Sequence, residues 1–312
     1  MKNILLTTIF VFISANLVLA ETTVQSCNRT VTFKNPPERA VSNDVNLTEM
    51  MLALGLADHM VGYTGISGWK TLDSEMRSGV KELPELSAKY PTKEVLVGAD
   101  ADFFFAGWNY GMKVGGEVTP ETLDPFGIKV YELTESCSHI MDKDKASLKD
   151  MYADILNLGK IFGVESRAEA LVAEYKSELK NFTANLKTRD EGLRVFVYDS
   201  GEDAPFTAGR FAMPTALIEA AGGHNIMDDF NKSWGSVTWE EVIERDPQVV
   251  VIVNYGDVTA EQKRDYMMSN SAFKNIAAVK DDRFVTLEYV EATPGPRNIQ
   301  AIQNLADAFW SN

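Results

Sequence analysis

The feature that most constrains this chain is a long amphipathic helical stretch with strand–helix alternation on both sides of it. From Glu165 to about Leu186, apolar Ala168, Leu171, Val172, Tyr175 and Leu179 fall on one stripe with charges opposite. At ~1.5 Å per residue the stretch is about 33 Å long, a strut rather than a flexible linker. Before it, short apolar strands are expected at 39–42, 60–63, 102–106 and 128–131. The run Asp102-Phe103-Phe104-Phe105-Ala106 has the unbroken apolar character of a strand buried on both faces of a parallel sheet. Helical spacing fills Leu47–Leu56, with Asn46 as a cap, and 145–162, with Gly163 at the stop. After the strut, strands are expected at 193–198, 248–253 and 284–287, with helices at 214–221 and 299–310. This pattern is α/β: two Rossmann-like lobes with mainly parallel sheets, joined by a long rigid helix. The expected division is residues 1–20 as a signal peptide, 21–163 as an N-terminal lobe, 164–190 as the backbone helix and 191–312 as a C-terminal lobe.

Export rests on the first 20 residues. Lys2 precedes an apolar run from Ile4 to Leu19, which ends in Val18-Leu19-Ala20. A basic end, an apolar stretch and small residues at a cut site describe a secretory signal peptide. Thr7, Thr8, Ser14 and Asn16 interrupt the run, which is shorter than the ~20 apolar residues that a membrane span needs. No cysteine follows Ala20 directly, so no lipid anchor is expected and the location is periplasmic. A net charge of −15 argues against nucleic acid as a partner, because phosphate binding needs clustered Lys and Arg. It favours a soluble monomer. In an oxidising compartment the two cysteines, Cys27 and Cys137, are more often a disulfide than two buried thiols.

Enzyme chemistry finds little support. There is no Gly-x-Gly-x-x-Gly opening a helix, no phosphate loop and no Ser or Cys nucleophile motif. His59, His139 and His224 are far apart and lack metal-ligand spacing, so neither a catalytic centre nor a resident metal or cofactor is expected. In open α/β sheets ligands bind beyond the carboxyl ends of the strands. The segments expected there carry Tyr63, Trp69, Trp108, Tyr110, Trp234, Tyr255 and Tyr289. Large rings in loops favour packing on a bulky planar or macrocyclic ligand. Arg210 and Arg297 are candidates to pair with an anionic chelate. For each ring the alternative is ordinary packing between loop and lobe.

Five ordered stretches carry a likeness: 37–41 running into 46–55, 93–96 ahead of the strand ending at 106–108, 158–171, Ala221-Gly222-Gly223-His224-Asn225, and 237–250. With them the chain resembles the periplasmic binding proteins for iron siderophores, haem and vitamin B12, whose two lobes are joined by a rigid helix. The resemblance implies no enzyme activity but capture of a metal chelate between the lobes and delivery to the permease of an ABC importer. It also implies one permease-docking glutamate per lobe, Glu94 and Glu240. The physical alternative is first-turn helix carboxylates favoured by the macrodipole. A ferric siderophore is the first expectation because of the two arginines. Cobalamin or haem is the alternative within the family, and a bare metal ion or a two-lobed enzyme lies outside it.

Overall fold

The computed structural model describes residues 21–68, 70, 72–184, 186 and 192–310. The expected signal peptide, Trp69 and residues 185 and 187–190 of the expected backbone helix lie outside them. Two parallel sheets dominate. The N-terminal sheet runs in the order Glu85–Ser87, Met60–Thr64, Ala40–Asn43, Phe103–Trp108, with Lys129–Glu132 on the far side of Phe103–Trp108. The C-terminal sheet runs Gly223–Asn225, Leu193–Tyr198, Val249–Asn254, Phe284–Glu288. Phe103, Phe104 and Phe105 are fully buried, which is what the unbroken apolar run demanded.

The long helix spans Glu165–Thr183. Ala168 and Val172 are buried on it, and Leu171, Tyr175, Leu179 and Phe182 pack against the same core. It lies against Leu148–Ile161 of the N-terminal half and against Asn298–Trp310 of the C-terminal half. Gly159 makes the first of these contacts close, since a Cβ there would stand 2.4 Å from Ala168 Cβ. The first helix starts at Val45, with Asp44 rather than Asn46 as its cap. Asn46 instead donates from Nδ2 to the Pro294 carbonyl at 2.8 Å, tying the two halves together.

Cys27 and Cys137 form a disulfide with Cα atoms 5.3 Å apart. It fastens the antiparallel hairpin of Thr22–Ser26 and Arg29–Phe33 to the short 3-10 helix Thr134–His139. The hairpin is also held by Glu132, whose Oε2 accepts from Ser26 Oγ at 2.8 Å and from Arg29 Nη2 at 2.6 Å. No described helix is long and apolar enough to cross a membrane.

Candidate ligand-binding cleft

A cavity of about 560 Å³ opens where the carboxyl ends of both sheets face each other. Its position follows from topology, because four strands of the two sheets hand the chain to the cleft as they end. Phe103–Trp108 is followed by Asn109 and Tyr110, Leu193–Tyr198 by Asp199, Val249–Asn254 by Tyr255, and Phe284–Glu288 by Tyr289. Lys70, Lys89, Tyr90, Lys113 and His139 complete the N-terminal wall, while Phe206 and Trp234 stand on the C-terminal wall.

The rings are arranged in pairs. Phe206 and Trp234 sit on the two strands of an antiparallel ribbon and stack with centroids 6.2 Å apart and planes 10° from parallel. Tyr255 and Tyr289 pack with centroids 4.9 Å apart. Lys70 Nζ lies 4.6 Å from the centre of the Tyr289 ring and 2.5 Å from Asp44 Oδ2. Burial lowers the Lys70 pKa, and the Asp44 carboxylate works against that shift. Burial also pushes Tyr90, Tyr110 and Tyr289 above the usual phenol value. These phenols are therefore neutral donors rather than phenolates at neutral pH. Tyr90 Oη donates to the Asn109 carbonyl, and Asn109 Nδ2 lies 3.3 Å from His139 Nε2. The His139 imidazole is held below its usual pKa by burial. Among the described residues no group of three or more His, Cys, Asp or Glu side chains is placed to hold a metal ion.

Of the rings expected from the sequence, Tyr110, Trp234, Tyr255 and Tyr289 line this cavity. Four other expected contacts lie elsewhere. Tyr63 is 7 % exposed and packs into the core. Trp108 is 5 % exposed, because its Nε1 donates to Glu132 Oε1 at 3.0 Å and its ring completes a second apolar cluster. Arg297 is consumed by an ion pair from Nε to Glu49 at 2.6 Å and by another from Nη1 to Asp73. Arg210 carries its guanidinium over the Phe211 ring, at 5.5 Å from the centroid. The cationic face of the cleft is built from lysines instead. Lys70 lies one residue beyond Trp69, one of the rings expected from the sequence. Lys89 and Tyr90 follow a strand of only three residues, Glu85–Ser87, too short to show a period. His139 read as isolated because its neighbour Asn109 is distant in sequence.

Glu94 and Glu240 are both exposed, in the first turns of Lys93–Gly98 and Trp239–Arg245. The Glu94 carboxyl is held below its usual pKa, chiefly by a hydrogen bond from the Thr92 side chain.

An aromatic cleft between two parallel-sheet lobes, with cationic side chains on one wall, defines a solute-binding protein. The sequence profile of the periplasmic binding proteins matches residues 41–290, and the chain belongs to that family. It is 26% identical over 286 residues to an uncharacterized ABC transporter substrate-binding lipoprotein of Bacillus subtilis (strain 168), covering 91% of this chain and 83% of that one. It is 24% identical to a cobalamin-binding protein of Halobacterium salinarum, covering 90% of this chain and 72% of its relative. A periplasmic binding protein from Veillonella parvula superposes with a TM-score of 0.80 at 28% identity, covering 93% of this chain and 98% of the other. The family consists of substrate-binding transport proteins of ABC importers, not enzymes.

Proposed function

We propose that this protein carries an anionic, ring-bearing metal chelate, a ferric catecholate siderophore first, from the periplasm to an ABC importer. The observation that supports this reading is the pairing of two ring stacks, Phe206–Trp234 and Tyr255–Tyr289, with Lys89, Lys113 and the Asp44-paired Lys70 in one cavity. Catecholate rings offer faces for the aromatic side chains, and their oxygen charge is matched by the lysines. A cleft formed before the ligand arrives spends little ordering entropy on binding. Hydrogen bonds and ion pairs tie the lobes together, among them Asn46 to Pro294 and Arg297 to Glu49.

A corrinoid is the second reading, favoured by the names of the cobalamin- and vitamin B12-binding relatives. Its macrocycle suits the rings but gives the three lysines less to do. For delivery, Glu94 and Glu240 are the proposed contacts with arginine pockets of the permease, one on each lobe.

Tryptophan quenching or calorimetry with a ferric tris(catecholate), cyanocobalamin, haemin and free Zn²⁺ tests the proposal. Saturable binding of the catecholate alone is expected. Saturation by cyanocobalamin alone transfers the assignment to the corrinoid, and saturation by Zn²⁺ alone discards the chelate.

A further inference from the structure

The two walls of the cleft differ in charge. Lys70, Lys89, Lys113 and His139 all stand on the N-terminal wall. On the C-terminal wall the one ionisable carboxylate among the described lining residues is Asp199. It follows directly on the strand Leu193–Tyr198 and is 5 % exposed. Its backbone N–H donates to the Phe206 carbonyl at 3.0 Å, which anchors it beside the Phe206–Trp234 stack.

This carboxylate is underpaired for its burial. Among the described residues it accepts one side-chain hydrogen bond, from Ser200 Oγ at a long 3.3 Å, and enters no ion pair. The nearest cation in charge terms is Lys263, but Lys263 Nζ directs two of its three N–H groups to the Val253 and Tyr255 carbonyls, at 2.7 and 2.9 Å, and makes no hydrogen bond to Asp199 among the described residues. A buried carboxylate with so few donors is costly unless a partner arrives. Three rings, Phe206, Trp234 and Tyr255, line the same wall of the cavity. A carboxylate that shares a cavity wall with aromatic rings is the chemistry that recognises an alkylammonium ion, through a charge-assisted hydrogen bond and cation–π contact together.

Resting on the chelate reading above, we infer that Asp199 is a specificity-determining residue that takes a primary amine of the ligand, so that the cargo is bipolar. Its metal-binding oxygens face the lysines of the N-terminal wall, and its ammonium faces the opposite wall. The alternative for Asp199 is a structural counter-charge to Lys263. That role needs no opening to the cavity and predicts no preference between ligands.

The test compares two probes on the whole mature protein: a ferric tris(catecholate) with one free primary amine, and the same complex with that amine acetylated. The wild type is expected to bind the amine form about tenfold more tightly. Asp199→Asn, nearly identical in shape, is expected to remove that preference. Equal binding of both probes by the wild type overturns the amine site while the chelate reading stands, and this comparison needs no variant to fold. A preference that persists in Asp199→Asn places the amine elsewhere and also overturns the inference. Failure of both probes to bind overturns the chelate reading itself.

Discussion

Tyr289 donates from its hydroxyl to Asp44 Oδ2 at 2.9 Å, the same oxygen that Lys70 Nζ approaches to 2.5 Å. Asp44 Oδ1 meanwhile accepts from the backbone N–H of Val45 at 2.6 Å and caps the first helix. One buried carboxylate thus joins the helix start and the cleft lysine on the N-terminal side to a ring from the C-terminal side. Its two partners are not equivalent. Lys70→Ala leaves a buried charge without its counter-ion and should cost about 3–5 kcal/mol. Tyr289→Phe removes one neutral donor and should cost about 1–2 kcal/mol. Urea unfolding of the two variants checks the order, and equal small losses would mean that the pair is solvated.

Ligand-dependent fluorescence should come from Trp234. It stands in the cleft on Phe206, whereas Trp108 is bonded to Glu132 within the core and Trp239 packs against Phe273 at 4.4 Å. Trp234→Ala should lower chelate affinity about tenfold or more, since it removes one face of the stack. Trp108→Phe should leave affinity unchanged and cost about 1 kcal/mol of stability through the lost hydrogen bond. Titration and thermal melting of both variants separate the roles. Equal loss of affinity in the two would contradict the division.

The sequence made the architecture legible because parallel-sheet strands and an amphipathic helix leave strong local patterns. The stripe from Ala168 to Leu179 and the Phe103–Phe105 run folded as their periods required. Of the expected rings, Tyr110, Tyr255 and Tyr289 reach the cavity because each follows a strand, whereas Trp234 reaches it from a strand of the antiparallel ribbon. The site was misread where a distant partner decides. Nothing near Arg297 in sequence announces Glu49, 248 positions away, and nothing near Trp108 announces that Glu132 draws the indole inward. The short hairpin Thr22–Phe33 and the helix Ala260–Ser269 escaped notice because their apolar faces are small: Lys263 and Met267 are the buried residues of the latter.

Docking and binding should be separable. Glu94 and Glu240 are exposed and distinct from the cavity lining. Glu94→Ala combined with Glu240→Ala should abolish uptake in cells while chelate affinity stays within about twofold. Transport assays beside calorimetry decide the matter, and weakened binding would remove the two glutamates from the docking role.

The disulfide closes a loop across a sequence separation of 110. In the chain-entropy account such a loop contributes about 4 kcal/mol by restricting the unfolded chain. Cys27→Ser with Cys137→Ser should therefore lower urea stability by roughly that amount. Reductant should reproduce the loss in the wild type and do nothing to the variant. An unchanged midpoint would show that Glu132, with its bonds to Ser26 and Arg29, holds the hairpin unaided.

Buried carboxylates set the pH dependence of stability. Glu135 accepts from the Met213 backbone N–H at 2.9 Å, and burial pushes its pKa from 4.5 up to about 8. Burial likewise raises Asp154 from 3.8 to about 7. Between the lower and upper values the folded protein keeps a proton that the unfolded chain has released. Folding stability must therefore fall as pH rises through that window, on the order of 1 kcal/mol per unit for each such group. Glu135→Gln keeps the shape of the protonated acid and removes its titration. Its stability should decline less steeply than that of the wild type from pH 5 to 8, with the Asp154 share remaining. Parallel slopes for the two proteins would mean that Glu135 is ionised in the fold, and that its contacts with Met213 and Tyr110 outweigh its burial.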